Sequence, residues 1–85
     1  MAVTVLYFAW VREAVGRGEE KVDPPENVRT LSDLIAWLRG RSDGHAEALA
    51  DMDRLRAAID QNFVPLEAEL GDAGEVAIFP PVTGG

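Results

Sequence analysis

The first nine residues, MAVTVLYFA, alternate with a period of two and are rich in β-branched and aromatic side chains, which predicts a strand over Met1–Ala9. Val3, Val5 and Tyr7 would share one face of it, and Thr4, Leu6 and Phe8 the other. Both faces are largely apolar, as suits a central strand or one whose outer side meets a partner. WVREAVGRG then reads as a long connection, with Gly16 and Gly18 as breakers. Glu19–Asp23 is a weaker, polar strand candidate closed by Pro24-Pro25. The period turns helical at Leu31: Leu31, Leu34, Ile35 and Leu38 fall at i, i+3, i+4 and i+7, which predicts a helix over Leu31–Arg39. Thr30 with Asp33 makes a capping box at its start, and Gly40 supplies the stop, with Arg39 and Arg41 near the negative end. A second short helix is expected from about Gly44 to Met52, capped by Ser42 or Asp43. Leu55–Ile59 reads as a short strand, Asp60-Gln61-Asn62 as a turn and Phe63-Val64 as a brief further strand. Glu75–Phe79 is the last strand, with Val76 and Ile78 on one face and Ala77 and Phe79 on the other.

Two opening strands, a helix laid across them and a returning strand make the β-grasp (ubiquitin-like) pattern of the α+β class. The expected architecture is a mixed sheet with one main helix packed across it and a second short helix. Residues 1–79 form the domain and residues 80–85 an extended Gly-Gly tail. The first and last strands are the most apolar and should lie side by side at the sheet centre. The helix stripe would then cover Val3, Val5, Tyr7, Val76 and Ile78. That leaves Leu6, Phe8, Ala77 and Phe79 on the opposite face with nothing in the chain long enough to cover them. Such a patch marks a partner site.

Composition narrows the chemistry. The chain has 85 residues, no cysteine and one histidine, His45, so disulfides, thiolate metal sites and thiol catalysis are excluded. No metal site is expected, and no bound cofactor. Acidic residues outnumber basic ones 15 to 8, for a formal charge of −7, and nucleic-acid binding, which needs a basic face, is not expected. No stretch approaches the ~20 apolar residues of a membrane span, and Met1 leads straight into strand-like sequence, so a cytoplasmic location is expected. Paired carboxylates such as Glu19-Glu20 read as solvated, and His45 and Trp37 as helix-surface or partly buried residues.

The final stretch, VAIFPPVTGG, carries the most chemistry. Pro80-Pro81 removes two backbone donors and favours an extended polyproline stem. From Phe79 the chain reaches roughly 20 Å at ~3.3 Å per residue. Gly84 and Gly85 lack side chains and could thread a channel too narrow for other residues. At the tip lies an α-carboxylate, a poor electrophile until adenylation by ATP turns it into a mixed anhydride. A sulfur nucleophile would convert that anhydride into a thiocarboxylate. On composition alone a Gly-Gly end also reads as a loose terminus.

LYFAWVRE, AAIDQNFV and EVAIFPPVTGG together resemble the small subunits of molybdopterin synthase, β-grasp sulfur carriers related to ubiquitin and to the thiamine sulfur carrier. The similarity runs through nearly the whole chain in order. It implies that Gly85 is adenylated by an activating enzyme using ATP and then receives sulfur through a sulfurtransferase. It further implies that Val82-Thr83-Gly84-Gly85 enters the active site of a large subunit. There sulfur passes to cyclic pyranopterin monophosphate, and two deliveries build the dithiolene of the molybdenum cofactor. The carrier itself would catalyse nothing. The resemblance also implies a 2:2 heterotetramer in which Phe8, Phe63 and Phe79 pack on the large subunit. Arg12 could pair with an acidic group of the partner. Two details depart from the pattern: Asp60 stands where many relatives have Asn, and Asp72-Ala73-Gly74-Glu75 shifts a glycine by one place. Three other functions compete: sulfur delivery for thiamine, a ubiquitin-like modifier joined to lysines, and an interaction module with an inert tail.

Overall fold

The chain forms β1 (Val3–Tyr7), α1 (Ala9–Val15), β2 (Glu19–Val22), α2 (Leu31–Leu38), α3 (Asp43–Ala48), one 3-10 turn (Met52–Arg54), β3 (Arg56–Ile59), β4 (Asn62–Val64) and β5 (Glu75–Phe79) in the computed structural model, which describes residues 2–81. The strands make one sheet in the order β2-β1-β5-β3-β4. β1 and β5 pair in parallel at its middle, Val5 opposite Val76 and Tyr7 opposite Ile78. The other pairings are antiparallel. This is the β-grasp arrangement expected from the order and polarity of the strands.

Alternation decides which side of the sheet is covered. Val3, Val5, Val76 and Ile78 are fully buried, Tyr7 nearly so, and all five join one core with Leu31, Leu34, Ile35 and Leu38 of α2. At ~25 cal/mol per Å2 of apolar surface, each such side chain contributes roughly 1.5–3 kcal/mol by leaving water. The α2 capping box is present as read: Thr30 Oγ1 accepts from the Asp33 N–H, and Asp33 accepts from the Thr30 N–H. Two further N–H groups at this helix start, those of Leu31 and Ser32, donate to the Ala68 and Leu66 carbonyls. The segment between β4 and β5 is thereby tied to α2 although it has no strand of its own.

Several expectations need correction. WVREAVGRG is no connection; most of it is α1. Val11, Ala14 and Val15 lie at i, i+3 and i+4, with Val11 fully buried and the other two packed on the core. Gly16 ends this helix in a left-handed conformation (φ 94°), its N–H bonded to the Arg12 carbonyl. The helix is only seven residues long and lies between an aromatic strand and two glycines, so its period was hidden. α1 packs against α3 so closely that a methyl group at Gly44 would clash with the Ala14 carbonyl oxygen. α3 is shorter than expected, Asp43–Ala48, with Ser42 as its cap, and the chain then turns once as a 3-10 helix. Gly40 is not the left-handed stop of α2. Arg39, in the right-handed region, is the C-cap. Its guanidinium serves α3 instead, donating to the Leu49 and Ala50 carbonyls. Leu55 lies outside β3 as a fully buried residue closing the 3-10 turn.

Candidate functional site

The sheet face turned away from the helices carries the predicted patch. Pairing register aligns Leu6 of β1, Ala77 of β5, Ala58 of β3 and Phe63 of β4 in one row across four strands. Phe63 is 81% exposed and Phe8 46%, the two large hydrophobic residues most open to water among the described residues. Phe79 is half-buried, and its ring meets that of Phe63 edge-on at 5.7 Å between centroids. The two alanines explain the shape: small side chains in the middle of the row leave a hollow rimmed by aromatic rings. Arg56, Ala57, Phe63, Val64, Pro65 and Phe79 line a cavity of about 380 Å3 at its edge.

This face lies beside the root of the tail. β5 ends at Phe79, opposite Arg56. Pro80 and Pro81 are half-buried. At the same end β1 finishes and turns sharply into α1 through Ala9, whose φ is 53°. The Phe8 N–H still donates to the Ile78 carbonyl there. Arg12 is exposed on α1, its guanidinium lying over Gly18, where an added Cβ would come within 3.1 Å of it. Phe8, Phe79 and Arg12 are thus brought to one end of the domain, with Phe63 an edge strand away. Val82, Thr83, Gly84 and Gly85 lie outside the described residues.

Sequence reasoning missed one polar cluster. Glu20 is not solvated but 7% exposed, and His45 is 6% exposed. Alternation held the signal: in β2 Glu20 shares its face with Val22, and that face is the core. The Tyr7 hydroxyl donates to Glu20 Oε2 at 2.6 Å, and His45 Nε2 lies 2.6 Å from the same oxygen. Arg41 and Arg17 approach Oε1 at 3.5 and 3.7 Å. Burial alone would raise the Glu20 carboxyl pKa. The Tyr7 and His45 hydrogen bonds, with the His45 and Arg41 charges, outweigh it and hold the group below its ordinary value. Burial first, and then the Glu20 carboxylate, pushes the Tyr7 phenol well above its usual range. Ser42 Oγ lies 2.7 Å from His45 Nδ1, so serine, histidine and glutamate stand in line as in a nucleophile relay. The Ser42 oxygen already accepts the His45 backbone N–H as the α3 cap. The cluster is a structural clamp joining β1, β2 and α3.

The two departures from the family pattern meet each other. Asp60 and Gln61 both have positive φ, 47° and 72°, forming the tight β3–β4 turn. Asp60 Oδ1 accepts from the N–H groups of Gly74 and Glu75. The carboxylate therefore staples that turn to the start of β5.

A β-grasp domain with one bare aromatic face at the root of its last strand belongs, by architecture, with the ubiquitin-like carriers. The ThiS family model matches residues 5–85, and the chain belongs to the ThiS family. It is 42% identical over 83 residues to a molybdopterin synthase sulfur carrier subunit of Escherichia coli K12, covering 98% of this chain and 99% of that protein. A carrier subunit of the same description from Haemophilus influenzae is 35% identical over 83 residues, with the same coverage. Among solved structures, a Pyrococcus furiosus protein described as molybdopterin converting factor, subunit 1, superposes with a TM-score of 0.74 at 31% identity. That match covers 96% of this chain and 99% of the other.

Proposed function

We propose that this chain is the sulfur carrier of a molybdopterin synthase, and that the carboxylate of Gly85 is the group that carries. In this reading the carboxylate attacks the α-phosphate of ATP in an activating enzyme and releases pyrophosphate. A sulfur nucleophile supplied through a sulfurtransferase then displaces AMP and leaves a thiocarboxylate. The carrier docks on a large partner subunit, which supplies the catalytic groups. Val82-Thr83-Gly84-Gly85 enters the partner's active site, and sulfur passes to cyclic pyranopterin monophosphate. The chain performs no catalysis alone and holds no cofactor.

The observation that carries this reading is the apolar outer-face row Leu6–Ala77–Ala58–Phe63, which no helix covers, with its exposed Phe63 and the neighbouring Phe8 and Phe79 where β5 ends. A patch at that place seats a partner and aims the tail in one act. The relatives' description as carrier subunits of a synthase supports a partner of that kind. In the same reading Phe8, Phe63 and Phe79 contact the large subunit and Arg12 meets an acidic group on it, two copies of each chain forming the assembly.

Intact mass spectrometry of protein from its native host tests the chemistry. Exchange of one terminal oxygen for sulfur is expected; adducts on lysines of other proteins would make the chain a modifier instead. Removal of Gly85 should leave folding and docking unchanged while abolishing molybdopterin formation in a purified system. Undiminished product from the truncated carrier would overturn the reading.

A further inference from the structure

Arg56 stands directly opposite Phe79 in the β3–β5 pairing, so both side chains belong to the outer face of the sheet. With Phe63, Val64 and Pro65 they border the cavity of about 380 Å3. The guanidinium is pinned from one side: Nη1 donates to the Asp53 carbonyl at 3.2 Å and to the Leu55 carbonyl at 2.8 Å. Those bonds tie it to the end of the 3-10 turn and occupy one nitrogen. Nε and Nη2 have no hydrogen-bond partner among the described residues. The chain carries fifteen acidic residues, yet none forms an ion pair with Arg56 among the described residues. Asp53 offers it a carbonyl and not a carboxylate, and Glu67, which borders a second hollow with it, makes no pair with it. Arg17 and Arg41, by contrast, are drawn to Glu20, and Arg54 stacks on Trp10 at 5.2 Å.

We infer that Arg56 is a specificity determinant of the docking face. It selects a large subunit that seats an apolar side chain in this hollow and sets a carboxylate beside it. The inference rests on the reading that the outer face docks such a subunit, and it adds the chemistry of one contact. The apolar half of the requirement follows from the lining. Phe63 leaves most of its ring in water and meets Phe79 edge-on at 5.7 Å, so an aliphatic or aromatic side chain of the partner gains contact with both rings. The charged half follows from the fork. Nε and Nη2 lie along one edge of the guanidinium plane, and two parallel N–H groups on one edge match the two oxygens of a carboxylate. A side chain already pinned by backbone carbonyls has little rotamer freedom left to lose on binding. Covering this edge without an anion would leave a desolvated charge unpaired, which disfavours a partner whose surface is apolar alone. The hollow therefore accepts one chemistry and rejects its near neighbour.

Calorimetry of the full chain with the large synthase subunit tests this, using wild type, Arg56→Gln and Arg56→Lys at two salt concentrations. Circular dichroism and denaturant unfolding verify that both variants stay folded. Arg56→Gln should weaken docking about tenfold or more, and its affinity should fall less with added salt than that of wild type. Arg56→Lys should recover only part of the loss, since an ammonium cannot make the two-bond contact. Each acidic residue of the partner's docking surface is then neutralised in turn, which leaves the carrier itself untouched. One of them should weaken docking as much as Arg56→Gln does and add nothing to it in the double variant. Unchanged affinity or salt dependence in folded Arg56→Gln, or additivity for every partner carboxylate, would overturn the proposal and leave the carrier reading in place. So would an effect of Arg56→Gln on self-association of the free chain alone, which would put a second copy in the hollow. A wild-type chain that binds no large subunit would instead overturn the carrier reading, and the proposal with it.

Discussion

The two faces of one sheet were made by the same alternation and have opposite fates. On the inner face Val5, Val76 and Ile78 are sealed under α2. On the outer face Leu6 and Ala77, one residue along from Val5 and Val76, carry no helix, and Phe63 beyond them stands 81% in water. The inner face stabilises the domain. The outer one contributes little to folding, which leaves its composition free to serve a partner. Removing a side chain from each should therefore give opposite results in folding and docking.

Leu34→Ala should be the largest change in stability, about 2–5 kcal/mol from lost burial and the cavity left behind. Denaturant unfolding would measure it, and docking should survive wherever the variant is folded. Glu20→Gln comes next, at about 1–3 kcal/mol, because Tyr7 and His45 lose a charged acceptor in a buried place. It should also change the pH profile. The Glu20 carboxyl is held below its ordinary value of 4.5 in the fold, so its contribution is present above that pH and fades as pH falls through the lower folded value. Asp33, held low by the Arg29 and Thr30 backbone N–H groups, adds a component of the same sign. Acid unfolding of Glu20→Gln should thus be less steep than that of wild type, though not flat. Equal steepness would show that Glu20 is not part of the acid response. Thr30→Ala should remove about 1 kcal/mol by breaking the capping box. Phe63→Ala should lie within about 0.5 kcal/mol of wild type in folding, as surface changes do. Its effect belongs to docking, where loss of an aromatic anchor costs about 2 kcal/mol or more, readable by calorimetry with the partner subunit. A Phe63 variant that unfolds easily would erase the contrast between the faces.

The parts legible in the sequence are those where one period runs long enough to be counted. β1 and β5 alternate cleanly, and α2 has four leucine and isoleucine positions behind a capping box, so face, partner strand and covering helix followed. α1 was not legible, because three apolar residues between an aromatic strand and two glycines do not make a countable period. Glu20 was missed for another reason: charge was allowed to outvote position, although its alternation with Val22 pointed inward. The seat of that carboxylate is created by Tyr7 and His45, thirteen residues before it and twenty-five after, and such a convergence appears only once the chain is folded. The aromatic hollow was legible as a face but not as a shape, since the Phe63–Phe79 contact depends on the β3–β4 register.

The position of β5 has a consequence for how the molecule is made. It lies between β1 and β3, yet it is the last strand in chain order. Until Glu75–Phe79 leaves the ribosome, the β1–α1–β2 unit and the β3–β4 hairpin have no strand to join them, and the nascent chain is two halves awaiting a keystone. Synthesis thus orders events by itself: a chain long enough to own the tail already contains the piece that closes the domain.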